Sequence, residues 1–222
     1  MFNNYCVIFD MDGVLADTEP IHFESWVKMA NEIGAKFTRE FFKQTFGQQS
    51  PTITRKLVGP SIDETLIIQW SNLKESYYRE MVKDKLELLP GVIDIIKDLK
   101  SEGFKLAIGS SGPSENVELL LTTLKIKNLF DNIITAADVR KGKPEPDVFL
   151  VAANLLGIDP KKCIVIEDAP VGIQAANNAG MKSIALTTTH NTEELQEANL
   201  VVQDLSLISI NDIKKLLDIE IE

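Results

Sequence analysis

Two aspartates one residue apart, Asp10 and Asp12, follow the apolar pair Ile8-Phe9 and run directly into Gly13. In an open parallel sheet, ligands collect beyond the carboxyl ends of the strands, so a strand ending this way would offer both carboxylates to a substrate. Taken alone, the trio favours such a role only modestly over an ordinary turn, because Asp and Gly favour turns. Three further apolar runs end in polar residues of matching chemistry. Lys105–Ile108 leads into Gly109-Ser110-Ser111-Gly112. The hydroxyls and backbone N–H groups of such a loop suit an anion at a helix start, although a simple N-cap also explains them. Beyond Ile133–Thr135 comes Lys141-Gly142-Lys143-Pro144, which sets Lys143 just before a helix. A lone lysine there is ordinarily solvated. Ile164–Ile166 ends in Glu167-Asp168-Ala169, and helix capping accounts for one of those acids better than for two.

The charges make chemical sense as a set. A carboxylate attacking a phosphate meets like-charge repulsion of roughly 4 kcal/mol per unit pair at about 4 Å and an effective dielectric near 20. Asp10, Asp12 and Asp168 could hold Mg²⁺ through oxygen, and with the ammonium of Lys143 that cation would reverse the balance. Hard oxygen donors without neighbouring His or Cys favour Mg²⁺ over zinc.

The elements that would position these groups follow from periodicity. Tyr5–Phe9, Lys105–Ile108, Asn132–Thr135, Lys162–Ile166, Lys182–Leu186 and Leu200–Val202 read as buried parallel strands. Helical patterns over Pro113–Leu124, Pro146–Leu156 and Val171–Ala179 separate them. This alternation predicts an α/β fold with a doubly wound, Rossmann-like parallel sheet. Between Asp17 and Leu88 the pattern is wholly helical. One stripe is Phe23, Trp26, Val27, Ala30 and Ile33, and another is Leu66, Trp70, Leu73, Tyr77 and Met81. The expected organisation is a catalytic core over 1–16 and 89–222, with an inserted all-helical cap domain over 17–88.

A chain of 222 residues with 44% hydrophobic and 25% charged residues can bury a sizeable core. Its formal net charge of −10 excludes a general nucleic-acid binder and obliges any phosphate site to carry local cations. Cys6 and Cys163 lie in apolar runs with no metal or redox spacing and are expected as buried, reduced thiols. No segment has the length and apolarity of a membrane span, so the cytoplasm is the default compartment. A monomer is the expected state.

Asp10-x-Asp12-Gly13-Val14, Ser110, Lys143-Pro144 and Glu167-Asp168 resemble, in order and rough spacing, the four motifs of the haloacid dehalogenase superfamily. The likeness is to the branch with a helical cap after the first motif, which includes small-metabolite phosphatases and β-phosphoglucomutase. The resemblance implies that Asp10 attacks phosphorus and that Asp12 protonates the leaving oxygen, then activates water. It also implies that Ser110 and Lys143 hold phosphoryl oxygens. Asp10, the Asp12 carbonyl and Asp168 would ligate Mg²⁺, with Glu167 as a ligand or its neighbour. An acid role further predicts an Asp12 pKa above the ordinary value of about 3.9.

The expected reaction is hydrolysis of a small phosphomonoester such as a sugar phosphate, by a Mg²⁺-dependent phosphatase. A phosphosugar mutase is the alternative, and a non-catalytic regulatory module is a third reading, disfavoured because both motif-one acids are present. Substrate choice would rest with the cap. His22 matches a histidine of the mutase branch, although a core or surface role explains it as well. Gln48 lies in Phe46-Gly47-Gln48-Gln49-Ser50, which could face the site. Ser111 and Lys74 are further substrate candidates, and the ordinary reading of Lys74 is a solvated helix face. Where the mutase carries a phosphate-gripping arginine, this chain has Ser50-Pro51, with Arg55 more than a helical turn away. That departure favours hydrolysis.

Overall fold

The computed structural model describes residues 1–83 and 86–220. The ranges 17–88 and 89–222 therefore include four residues, at 84–85 and 221–222, that lie outside the described set. After β1 (Cys6–Phe9), the chain enters α1 (Glu19–Glu32), α2 (Arg39–Thr45), α3 (Ser50–Val58) and α4 (Glu64–Val82). It then alternates through α5 (Val92–Glu102), β2 (Lys105–Gly109), α6 (Ser114–Thr123), β3 (Asn132–Ile134) and α7 (Asp147–Leu156). The remainder is β4 (Cys163–Glu167), α8 (Pro170–Asn178), β5 (Lys182–Leu186), β6 (Leu200–Val202) and α9 (Ile210–Leu216).

All strand pairs are parallel, in the order β3-β2-β1-β4-β5-β6. Phe9 at the end of β1 pairs with Ile108 on one side and Ile166 on the other. Side chains alternate across the sheet. Val7 and Phe9 therefore pack with α5, α6 and α9, while Cys6 and Ile8 pack with α7 and α8. Covering both faces explains the unbroken apolar runs, since each buried Ile or Phe contributes roughly 1.5–3 kcal/mol. Cys6 and Cys163 are register neighbours and free thiols. Their mutual hydrogen bond and then burial push the Cys6 thiol far up, which keeps it protonated.

The helical insertion is pinned where it leaves and returns: Ala16 and Leu88 form an antiparallel bridge, and Leu89 N–H donates to the Leu15 carbonyl at 3.0 Å. Trp26, Met29, Phe37, Phe42 and Phe46 form its core, which continues onto Ala169 beside β4. On α4 the buried face differs from expectation. The fully buried positions are Ile67, Ser71, Lys74, Glu75, Tyr78 and Val82, whereas Leu66 is 39% exposed. Trp70, Leu73 and Tyr77 only flank the core. Lys74 is thus not a solvated residue: it lies with Ser71 and Glu75 on the buried face of α4, where its Nζ meets His22 Nδ1 and Glu75 Oε1.

Candidate active site

Pairing continues one residue past β1 and β2: Asp10 N–H donates to the Ile166 carbonyl at 2.9 Å and Ser110 N–H to the Ile134 carbonyl at 3.0 Å. The adjacent ends of β1, β2 and β4 therefore present Asp10, Ser110, Glu167 and Asp168 along one edge. Lys143 reaches the same place from the loop before α7 and is 3% exposed. Its Nζ lies 2.5 Å from Asp10 Oδ1 and 2.7 Å from Glu167 Oε1. Glu167 Oε2 accepts from the backbone N–H groups of Asp168 (2.8 Å) and Ala169 (2.9 Å). Both Glu167 oxygens are thus engaged, and the residue anchors Lys143 to the loop after β4. Thr189 Oγ1 donates to Asp168 Oδ2 at 2.5 Å.

Ligand atoms of Asp10, Glu167 and Asp168 all lie within 4.8 Å of one another. Three buried carboxylates face one ammonium, which leaves an excess equal to the charge of one divalent cation. Burial, and then the neighbouring acids working against Lys143, push the Asp10 carboxyl up to about 7. Burial and then Glu167 also push Asp168 well up. Burial works against the Lys143 charge, yet Asp10 and Glu167 hold its pKa above the usual lysine range. Space is kept for the acids as well: a β-carbon on Gly13, whose φ is +77°, would lie 2.0 Å from Asp168 Oδ2. All-oxygen donors, excess negative charge and that close approach fit a hard divalent cation.

Asp12 belongs to a second network. Its Oδ1 accepts from Thr18 Oγ1 at 2.6 Å. His22 Nε2 lies 3.1 Å from the same oxygen. Lys74 Nζ is 2.8 Å from His22 Nδ1. An ammonium only donates, so Nδ1 accepts and the imidazole proton sits on Nε2, toward Asp12. The His22 ring stacks on Tyr78 with centroids 4.0 Å apart. Lys74 also contacts Glu75 Oε1 at 3.1 Å. Glu75 accepts from Ser50 Oγ and, at 2.6 Å, from Asn116 Nδ2.

This arrangement corrects the expected rise in the Asp12 pKa. Burial acts to raise it, but His22, Thr18 and Lys74 outweigh burial and hold the carboxyl below its ordinary value. The proton-donating neighbours come from the helical insertion, at sequence distances that motif spacing does not reveal.

A cavity of about 40 Å³ joins the two networks, with Asp10, Asp12, His22, Lys74 and Ser111 on its wall and Trp26 and Phe46 on the apolar side. Gln48 also lines it, its Oε1 accepting from Lys56 Nζ at 2.7 Å. The Ser111 hydroxyl is buried and has no hydrogen-bond partner among the described residues. Ser110 Oγ instead accepts from the Gly112 N–H at 3.0 Å, within its own loop. Arg55 stands on the exposed face, donating to both oxygens of Glu64 at 2.7 and 2.6 Å. Thr189, Glu75 and Asn116 escaped sequence reading because no local motif surrounds them. His190 also lacked one, yet it is buried between the Asp168 carbonyl (3.1 Å) and the Lys43 carbonyl (3.1 Å).

Residues 7–186 match the haloacid dehalogenase-like hydrolase family, and the chain belongs to that family as an enzyme of the phosphoric monoester hydrolase type. It is 34% identical to the phosphorylated carbohydrates phosphatase of Thermotoga maritima, over 80% of this chain and 82% of that protein. It is 33% identical to the β-phosphoglucomutase of Bacillus subtilis, over 92% of this chain and 91% of that protein. The crystal structure of β-phosphoglucomutase from Clostridium difficile superposes with a TM-score of 0.87 at 30% identity, covering 96% of this chain and 97% of the other. Among the described residues, no helix is long and apolar enough to cross a membrane.

Proposed function

We propose that the protein is a Mg²⁺-dependent phosphatase that hydrolyses a small phosphomonoester, a sugar phosphate or a similar metabolite, through an aspartyl-phosphate on Asp10. The observation that carries this reading is the convergence of Asp10, Lys143 and Asp168 at one sheet edge, with Asp12 sharing a cavity wall with Asp10. An Asp10 oxygen attacks phosphorus and the bond to the leaving oxygen breaks. Asp12 gives that oxygen its proton, then takes a proton from the water that cleaves the acyl phosphate. Lys143 and the Ser110–Gly112 loop hold the phosphoryl oxygens, with the unpartnered Ser111 hydroxyl as a further donor.

Asp10, Asp168 and the Asp12 carbonyl would hold Mg²⁺, with Glu167 behind them orienting Lys143. When bound, the cation supplies positive charge that offsets the repulsion between carboxylate and phosphate. The low pKa of resting Asp12 fits its service as a base. An arriving phosphate raises its proton affinity, since one negative charge at about 4 Å is worth roughly 4 kcal/mol at an effective dielectric near 20.

On this reading α1–α4, within residues 17–88, form a cap domain that chooses the substrate, and residues 1–16 with 89–222 form the core. The enzyme works as a cytoplasmic monomer. Similarity to β-phosphoglucomutases supports a mutase as the second reading, whereas the outward pairing of Arg55 with Glu64 supports hydrolysis. A phosphate ester panel with Mg²⁺, using Asp10→Asn as the blank, tests the proposal. Free phosphate should appear whether or not a sugar bisphosphate is added. Efficient isomerisation with little phosphate release would overturn it.

A further inference from the structure

Two spaces meet under the helical insertion. The inner cavity carries Asp10 and Asp12, and a cleft of about 340 Å³ opens beside it. Ser50, Glu75 and Ser111 line both. These three side chains stand between the two spaces, so a leaving group on a phosphate held at Asp10 would lie against them.

The outer cleft offers the amides of Gln49 and Asn72, with Glu75 and Glu115 as its acids. Its wall includes Ser71 and Ser114, whose hydroxyls pair with Thr54 and Thr135. Among its described lining residues there is no Lys or Arg. Amides and hydroxyls exchange hydrogen bonds with a neutral polyol, whereas a second phosphate there would shed its water against acids. Lys74, the cation of the inner cavity, is already committed: its Nζ contacts Glu75 Oε1 at 3.1 Å and His22 Nδ1 at 2.8 Å. The Glu75 carboxylate cannot swing aside freely, because Asn116 Nδ2 donates to it at 2.6 Å, Ser50 donates to it, and Arg79 Nη1 holds Asn116 Oδ1 at 2.8 Å.

Resting on the phosphatase reading above, we propose that Glu75 is a specificity-determining residue. It neutralises Lys74 and faces both spaces, so that the site takes esters bearing one phosphate on an uncharged, hydroxyl-rich group and turns away those bearing a second.

The test compares fructose 1-phosphate with fructose 1,6-bisphosphate. Wild-type enzyme should favour the monophosphate at least about tenfold in kcat/KM, and Glu75→Gln should narrow that ratio by about tenfold. Asn72→Lys adds a cation to the cleft from an exposed position of α4 and should narrow the ratio in the same direction, even if Glu75→Gln proves unstable. Calorimetric Kd values for both esters on an Asp10→Asn background give the same comparison without turnover. An unchanged ratio in folded Glu75→Gln, an unchanged ratio in Asn72→Lys where Glu75→Gln does not fold, or a wild-type preference for the bisphosphate overturns the assignment. Hydrolysis of p-nitrophenyl phosphate with no binding of either fructose ester overturns it too, while the phosphatase reading survives. If no ester is hydrolysed, that reading fails instead, and the binding comparison still decides the role of Glu75.

Discussion

A β-carbon on Gly172 would lie 1.8 Å from Glu167 Oε1, the oxygen that receives Lys143 Nζ at 2.7 Å. Glycine at this point lets α8 pass over the carboxylate that anchors the active-site lysine. At an ordinary helix interior, Gly→Ala stabilises by roughly 0.5–1 kcal/mol. Here the sign should reverse. Gly172→Ala is expected to lose about 1–3 kcal/mol in urea denaturation and to lower turnover, because Glu167 and Lys143 must shift together. A gain in stability would remove the close approach as the reason for this glycine.

Asp10 and Asp12 should fail differently. Asp10→Asn removes the nucleophile and is expected to cost on the order of 10⁴-fold or more in kcat. Asp12→Asn removes only proton transfer and should cost about 10²–10⁴-fold. Rapid-quench mass spectrometry should find a phosphate adduct on Asp10 in the wild-type enzyme and none in Asp10→Asn. Full turnover by Asp12→Asn would end its acid–base assignment.

Lys143→Met should be severe for folding as well as for activity. It leaves Asp10 and Glu167 as buried carboxylates without their shared cation, and breaking such a pair costs roughly 3–5 kcal/mol. Added Mg²⁺ should restore part of the lost Tm. A melting curve that matches wild type would show that the ammonium does not offset those charges.

Thr189→Ala tests the support of the proposed cation site. The hydroxyl donates to Asp168 Oδ2 at 2.5 Å, and loss of such a partner to a metal ligand typically weakens metal binding about 10–100-fold. Titrating Mg²⁺ against Tm should show that shift in midpoint, and Asp168→Asn should abolish the Mg²⁺ response. Equal midpoints for Thr189→Ala and wild type would count against the orienting role.

Asp131 gives a pH dependence remote from the site. Burial works to raise its pKa, but the Leu106 N–H and then Lys105 prevail, and the carboxyl sits below its ordinary value. A depressed folded pKa stabilises the fold above the unfolded value of about 3.9 and loses that contribution as pH falls through the folded value. Asp131 Oδ2 accepts from Leu106 N at 2.9 Å, so Asp131→Ala should cost about 1–3 kcal/mol at neutral pH. The deficit should shrink at acid pH, where wild type loses the same charge. A deficit that stays constant down to strongly acid pH would exclude the charged form as its source.

Much of the core was legible in the sequence because its signals are local. A strand buried on both faces must be apolar throughout, and a polar residue at its end marks the carboxyl edge; Asp10, Ser110 and Glu167 could be placed on that rule alone. The helical insertion was legible from periodicity, but the orientation of α4 was not. Its apolar stripe through Leu66 and Trp70 suggested one buried face, while the folded chain buries Lys74 and Glu75 on the next. Periodicity measures hydrophobicity, and a buried face that mixes Ser71, Lys74 and Glu75 with Ile67, Tyr78 and Val82 leaves little such trace. Tertiary structure alone could bring Thr18, His22 and Lys74 within reach of Asp12 and so set the direction of its pKa. Spacing along a chain names the groups available for chemistry, but their protonation depends on through-space distances of a few ångströms.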